Sequence, residues 1–322
     1  MISGNSGSGV EINSSGSDVP GVDDDADGST DEPGEGPNFV QGNYIGTNAA
    51  GLAAIPNQTG VRLKNGAANN MIGGGVAAAR NIIAGNTNNG LLIDGAATTG
   101  NIVRGNFIGL TPAENALSNF VGVQIQTSAN GNTIGGVNAG QGNVISGNGS
   151  KGVLITGAGS DNNVLAGNFI GTDSTGALPR ANGNGIFIET GAQNNTVGGT
   201  TAGAINVISG NTSDGVHLGG NRNTILGNYI GTNAAGTASL GNGVGVRLHT
   251  AASENVIGGT TASARNIISG NTNEGVSIHD TGTTANRVEG NYIGVDVSGS
   301  VSLANAMGVT IDNAATGNTI GG

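Results

Sequence analysis

Residues 195–218, NTVGGTTAGAINVISGNTSDGVHL, and residues 227–248, GNYIGTNAAGTASLGNGVGVRL, decide the fold. Both stretches contain a short segment that opens with Asn, and both end in a segment where apolar and polar residues alternate. Versions of the two stretches recur along nearly the whole chain. The motif Gly-Asn-(Tyr/Phe)-Ile-Gly begins at Gly42, Gly105, Gly167, Gly227 and Gly290. A glycine that opens an alternating segment recurs about twice as often, so the repeat of about 62 residues divides into two coils of about 31.

Each coil contains three short strands. In the first strand, period-two alternation places residues such as Val216 and Leu218 on one face and His217 on the other. Strands this short are stable only if each coil hydrogen-bonds to the coils above and below it. The sequence therefore predicts an all-β fold: one β-solenoid domain over 1–322, of about ten coils, with internal ladders of Val, Ile and Asn. Neither end shows a capping segment, so we expect the ends to allow self-association.

The quoted runs resemble the right-handed parallel β-helix repeats of the pectin-lyase-like superfamily. They are most similar to the Asn/Gly-rich arrays of very large bacterial surface and secreted proteins. The resemblance covers all of the chain except an acidic insertion. It implies a right-handed, single-stranded parallel β-helix and an extracellular or cell-surface location. It leaves function open, because that superfamily contains lyases, hydrolases, epimerases, adhesins and purely structural rods.

Composition excludes several classes of function. The chain has 64 Gly, no Trp and no Cys, so a disulfide framework and a thiolate metal site are both excluded. The net charge of −11 arises mostly from residues 18–35, where eight acids and no base occur. The ten Lys and Arg are scattered, so no basic stripe for nucleic acid is present. No apolar run is long enough to span a membrane, and no signal peptide opens the chain.

The acidic insertion, residues 18–37, interrupts the first coil and has a pattern typical of calcium loops. Alternating carboxylates before a turn-forming Gly place several hard oxygens around one cation. The predicted ligands are Asp23, Asp25, Asp27 and Asp31. The run resembles thrombospondin type 3 and dockerin loops, and it departs from an EF-hand because position twelve is Gly34. The alternative is a solvated acidic loop that binds nothing, and no cofactor other than calcium is expected.

All three histidines occur in the first strands of consecutive coils. Sugars usually lie along the outer face of this strand in enzymes of the superfamily, so the resemblance makes this face the place to look for a site. The candidate catalytic residues are His249, His279 and Asp312, with Arg247 and His217 beside them. Stacked on neighbouring coils, these groups could form a general acid–base pair or a metal site. The alternative is a solvated face whose composition drifts from coil to coil.

A second column carries an aromatic residue in every other coil: Tyr44, Phe107, Phe169, Tyr229 and Tyr292. Each is followed by a long loop with an apolar residue: Ile55, Leu117, Leu178, Leu240 and Leu303. If this column of aromatic residues were exposed, it could bind polysaccharide or a partner surface. We expect instead that each loop folds back and that its apolar residue covers the ring.

Three hypotheses about function follow. The first, which the near-neutral body and regular ladders favour, is a non-catalytic structural or adhesive rod, part of a larger surface protein or of a head-to-tail assembly. The second is a polysaccharide-active lyase, hydrolase or epimerase that uses the outer face of the first strands. The third is a calcium-assisted, self-assembling filament subunit. A polysaccharide or another cell-surface ligand is the expected partner in the first two cases.

Overall fold

The computed structural model describes residues 1–14, 37–189 and 191–321. These residues form a right-handed parallel β-solenoid of about nine turns with three parallel sheets. Within the described ranges there is no α-helix, and none of the segments could cross a membrane as a helix. The predicted fold class is therefore confirmed. The acidic insertion lies outside the described residues as far as residue 36.

The first sheet consists of Ser8–Asn13, Thr59–Lys64, Asn89–Asp94, Val121–Gln126, Lys151–Thr156, Asn184–Ile188, Asp214–Leu218, Val244–Leu248, Glu274–Ile278 and Met307–Ile311. The second consists of Phe39–Val40, Met71–Gly73, Ile102–Arg104, Thr133–Gly135, Val164–Ala166, Thr196–Gly198, Thr224–Leu226, Val256–Gly258, Arg287–Glu289 and Thr319–Ile320. The third consists of Tyr44–Ile45, Ile82–Ile83, Phe107–Ile108, Val144–Ile145, Phe169–Ile170, Val207–Ile208, Tyr229–Ile230, Ile267–Ile268 and Tyr292–Ile293. Three 3-10 turns, Ala77–Ala79, Ala202–Ala204 and Ala262–Ala264, lie between the second and third strands of alternate coils.

Identical positions stack from coil to coil. Val216 pairs with Val246, and Leu218 pairs with Leu248, in parallel register. All four side chains are fully buried in one continuous apolar core that runs through the solenoid. Because the apolar side chains stack rung on rung, the core needs no large aromatic centre, which explains how so glycine-rich a chain folds.

Three ladders of buried asparagines run along the three corners. In each ladder the backbone N–H and the Nδ2 of one Asn both donate to the Oδ1 of the Asn in the next coil, as Asn163 does to Asn195 at 2.9 and 3.0 Å. The members before the second strands are Asn38, Asn70, Asn101, Asn132, Asn163, Asn195, Asn223, Asn255, Asn286 and Asn318. The amide ladders predicted at the corners are therefore present.

The first strands depart from strict alternation at one position. Gly215 and Val216 both face the core: a Cβ on Gly215 would lie 3.0 Å from Cγ2 of the buried Ile230, and Val216 is fully buried. Gly152 also faces the core, because a Cβ there would lie 3.1 Å from Cγ2 of the buried Ile170. As a result, Asp214, the residue before Gly215, lies on the outer face together with His217, to which it bonds.

The long loops fold back toward the aromatic rings, as expected. Each loop closes with an antiparallel bridge, for example between Thr172 and Pro179. The prediction that the apolar loop residue covers the ring is wrong in part, because Leu178 is 53% exposed. The turn glycine contacts the ring instead: a Cβ on Gly176 would lie 2.9 Å from the Phe169 ring.

Candidate functional site

The structure brings the three histidines together on the outer face of the first sheet. The His217 ring stacks on Phe187 with centroids 4.0 Å apart, and His249 meets His217 edge-on at the same distance. The His249 and His279 rings stack at 5.6 Å. One aromatic and three imidazoles therefore form a continuous row across four coils, which we call the imidazole row.

Asp312 does not join the row through its side chain. Its backbone N–H bonds to Ile278 O at 3.0 Å, which places it in the coil after His279 as the spacing predicts. Its side chain is exposed, and no hydrogen bond or ion pair from it to a histidine is present in the described part of the chain. Two other carboxylates, Asp214 and Asp280, take that place.

Asp214 is the buried anion of the cluster. Its Oδ2 accepts hydrogen bonds from His217 Nδ1 at 2.6 Å and from Arg247 Nε at 3.0 Å, and its side chain is 5% exposed. Burial raises the pKa of Asp214, but the bonds from His217 and Arg247 outweigh burial and hold the pKa below its ordinary value. The carboxylate therefore stays ionised and fixes both of its partners.

Arg247 connects the two ends of the cluster. Its guanidinium also lies 3.4 Å from His279 Nε2, and His279 Nδ1 lies 3.1 Å from Asp280 Oδ1. Since an arginine can only donate, His279 accepts at Nε2 and donates from Nδ1 to the carboxylate. Hydrogen bonds from His279 and from the backbone N–H of Thr250 lower the pKa of Asp280.

Only one ring nitrogen of His249 has a hydrogen-bond partner in the described structure. Its Nδ1 bonds to the Thr250 hydroxyl, while its Nε2, like that of His217, is buried without a hydrogen-bond partner in the described structure. Burial, together with the neighbouring imidazoles of His217 and His279, lowers the pKa of His249 to about 4. The imidazole is therefore neutral at pH 7.

A shallow depression of about 230 Å³ lies beside His249. Its floor is Gly219, which has no side chain, and its walls are Phe187, Glu189, His249 and Thr250. Glu189 accepts a hydrogen bond from the Thr156 hydroxyl at its outer edge. The depression thus places a carboxylate and a neutral imidazole on opposite sides of one open gap, where a proton donor and a proton acceptor could act on the same ligand.

The residues that the structure describes contain no group of three or more His, Asp or Glu side chains placed to hold a metal ion. The imidazole row therefore does not supply the metal site considered from its spacing. The predicted calcium ligands, Asp23, Asp25, Asp27 and Asp31, lie outside the described residues, and calcium there stays a prediction.

Sequence reasoning missed Asp214, Asp280 and Glu189. Strict alternation places Asp214 on the inner face with Val216, but Gly215 faces the core instead, and Asp214 points outward to His217. Asp280 follows His279 directly, and that adjacency was the available signal. Glu189 lies in the same column as His249, but two coils away, and the spacing alone did not show that Gly219 leaves the interval open.

Comparisons with known proteins give little beyond the fold. No protein-family model matches the chain, and no curated protein matches it. Among solved structures, it is similar to the crystal structure of the Dettilon tailspike protein (gp208), with 18% identity and a TM-score of 0.45. The match covers 86% of this chain and 56% of that chain, so the chain spans about half of that protein's length. The parallel β-solenoid is established by the fold itself, and membership of the pectin-lyase-like superfamily stays a prediction.

Proposed function

We propose that this protein is a rigid, non-catalytic rod that holds or spaces surfaces outside the cell, in a structural or adhesive role. The main support for this proposal is the set of asparagine ladders. Each joins neighbouring coils through buried side-chain bonds as well as through the sheets, for example from Asn132 to Asn163 and from Asn168 to Asn206. Two bonded systems running in the same direction resist both bending and separation of coils.

The core supports the same proposal. Apolar columns such as Ile155, Ile188 and Leu218 are fully buried and belong to one continuous core. A rod of this kind keeps whatever it carries at a fixed distance, which is the physical requirement for a spacer or a display scaffold.

Rigidity can be measured directly because the chain contains no cysteine. Thr87 and Thr272 are exposed, and they precede first strands that are six rungs apart in the sheet. Spin labels on Thr87→Cys and Thr272→Cys should give one narrow distance distribution near 29 Å, from six rises of about 4.8 Å, broadened only by the labels. A broad or bimodal distribution in pulsed electron resonance would remove the rod proposal.

The surface location is tested separately. Antibody labelling of intact producing cells should detect the protein, because a spacer must stand outside the cell to present anything. Labelling that appears only after the cells are permeabilised would contradict an extracellular role while leaving the rigidity result in place.

One observation favours a second function, a polysaccharide-active enzyme. Glu189 and His249 face each other across the Gly219 gap, and the low pKa of His249 keeps it available as a base. The test is a screen for depolymerisation of acidic and neutral polysaccharides by the wild type, His249→Ala and His279→Ala, with the exposed Thr272→Ala as control. Turnover lost in the histidine variants alone would support the enzyme, and no turnover on any polymer would exclude it.

A further inference from the structure

The contacts that hold His249 in the imidazole row suit a neutral ring. The ring meets His217 edge-on at 4.0 Å and stacks on His279 at 5.6 Å. Its Nε2 is buried without a hydrogen-bond partner in the described structure, and its Nδ1 bonds to the Thr250 hydroxyl. A proton added to His249 would place a positive charge in a largely buried position between two other imidazoles, which is unfavourable.

The charged groups around His249 do not compensate for that proton. The charged and titratable side chains that face it from the elements packed against it are His217, Arg247, His279, Asp280 and Glu189. Arg247 is a fixed cation and disfavours a second positive charge beside it. Asp214 lies behind this group and is engaged by its two partners. Asp280 lies 3.9 Å from His249 Nδ1, but it is 42% exposed and already accepts two hydrogen bonds.

An empty position lies on the other side of His249. Glu189, Gly219 and His249 occupy the same place in three consecutive coils, and of these three only Gly219 lacks a side chain. Two rises of about 4.8 Å separate Glu189 from His249, a span that the two side chains can close by turning toward each other. Such a turn is a change of rotamer and needs no movement of the backbone.

Glu189 has an acceptor to offer at the far side of this gap. Its Oε2 accepts a hydrogen bond from the Thr156 hydroxyl. Its Oε1 has no hydrogen-bond partner among the residues that the structure describes. A protonated imidazole that enters the gap would therefore meet an unoccupied carboxylate oxygen, and it would form a charge-assisted hydrogen bond that the row does not provide.

We propose that the imidazole row is an acid-operated switch: when His249 gains a proton, its ring leaves the row, turns into the gap at Gly219 and pairs with the carboxylate of Glu189. The turn breaks the hydrogen bond to the Thr250 hydroxyl and supplies a charged partner in its place. It also uncovers the ring of His217 and fills the depression. The switch goes beyond both proposed functions, because it needs neither a ligand nor a reaction.

The protonation equilibrium sets the pH range of the switch. Within the row, burial and the neighbouring imidazoles lower the pKa of His249 to about 4, against 6.5 for an ordinary histidine. The difference of about 2.5 pH units means that protonation favours the turned, solvated position by about 300-fold. Because turning also costs the contacts within the row, the titration midpoint of His249 in the folded protein should lie between pH 6.5 and pH 4.

The chain contains three histidines, so the signal of each imidazole can be followed separately by nuclear magnetic resonance. A titration from about pH 7.5 to about pH 4.5 with ¹³C-labelled histidine and glutamate gives the protonation of each ring, and His249→Gln identifies the His249 signal. At the neutral end we expect nuclear Overhauser contacts between the rings of His249 and His217. As His249 is protonated, contacts with the Glu189 side chain should replace them. Circular dichroism at each pH checks that the solenoid stays folded.

Glu189→Gln keeps the shape of the partner and removes its charge. It should lower the titration midpoint of His249 by about one pH unit, a tenfold loss, and remove the new contacts. Glu254→Gln is the matched control, because Glu254 is an exposed carboxylate that pairs with Arg222 at 2.9 Å, just before a strand of the second sheet. This variant should leave the midpoint unchanged.

Four results would overturn the proposal. The first is contact between the His249 and His217 rings that persists once His249 is protonated. The second is an unchanged midpoint in Glu189→Gln, and the third is an equal shift in Glu254→Gln. The fourth is unfolding of the solenoid before His249 gains its proton.

Discussion

Replacing one asparagine in the middle of a corner ladder should cost far more than the loss of a single polar side chain suggests. The Asn195 side chain is fully buried and takes part in four hydrogen bonds. Its Oδ1 accepts from the backbone N–H and the Nδ2 of Asn163, and its Nδ2 donates to Asn223 Oδ1 and to Ser160 O. Asn195→Ala breaks all four and leaves buried partners unsatisfied.

The magnitude follows from the bonds. A net cost of about 1 kcal/mol per bond gives about 4 kcal/mol, and the unsatisfied donors of the preceding coil raise the expected loss to about 5 kcal/mol. A single change of this size is exceptional for a polar residue, because most exposed substitutions stay within about 0.5 kcal/mol.

Because the chain contains no Trp, its unfolding in urea is followed by far-ultraviolet circular dichroism, which measures this loss of stability. Asn88→Ala is the matched control, because Asn88 is exposed and makes no side-chain hydrogen bond in the described structure. Its unfolding free energy should not change measurably. If Asn195→Ala and Asn88→Ala lower the stability by the same amount, the ladders do not stabilise the rod and the reasoning fails.

Three further outcomes are expected. Gly198→Ala should prevent folding or lower the free energy of unfolding by several kcal/mol in thermal unfolding, because Gly198 has φ +95° and a Cβ there would lie 1.9 Å from a carbonyl oxygen of the next coil. Gly7→Ala is the control and should be neutral, because a Cβ on Gly7 would contact nothing. The pKa of His249 is about 4 in the folded state against 6.5 in the unfolded state, so between these pH values the unfolded state binds the extra proton. The free energy of unfolding should therefore fall as the pH drops from 6.5 toward 4. Urea titrations at several pH values should show this dependence in the wild type and a weaker one in His249→Gln. Calcium should bind in calorimetry and be lost in the double variant Asp25→Asn, Asp27→Asn, and light scattering with and without EDTA should show whether calcium drives assembly.

The fold could be predicted because its determinants are local and repeated. Val216 and Val246 lie at matching positions of consecutive coils, and the structure pairs them in register inside the core. The asparagines at the corners were visible for the same reason, since an amide that recurs at a strand start lies beside its copy in the next coil and can bond to it. A repeat fixes the partner of every residue once the period is known.

The candidate site was only partly predictable, because it depends on departures from the repeat. His217, His249 and His279 were found together because the period places them on adjacent coils. Asp214 was missed because its outward orientation depends on Gly215, which faces the core and interrupts the alternation.

These departures point to how such a rod acquires sites. Each coil is stabilised by its two neighbours, so a substitution on the outer face changes the local surface without removing a ladder. Gly219 opens a gap beside His249, yet Leu218 next to it remains fully buried. In a globular core a change of one methylene is felt by the whole structure. Here the asparagine ladders and the apolar columns carry the stability, which leaves the outer positions free to differ coil by coil and to form binding surfaces at fixed spacing.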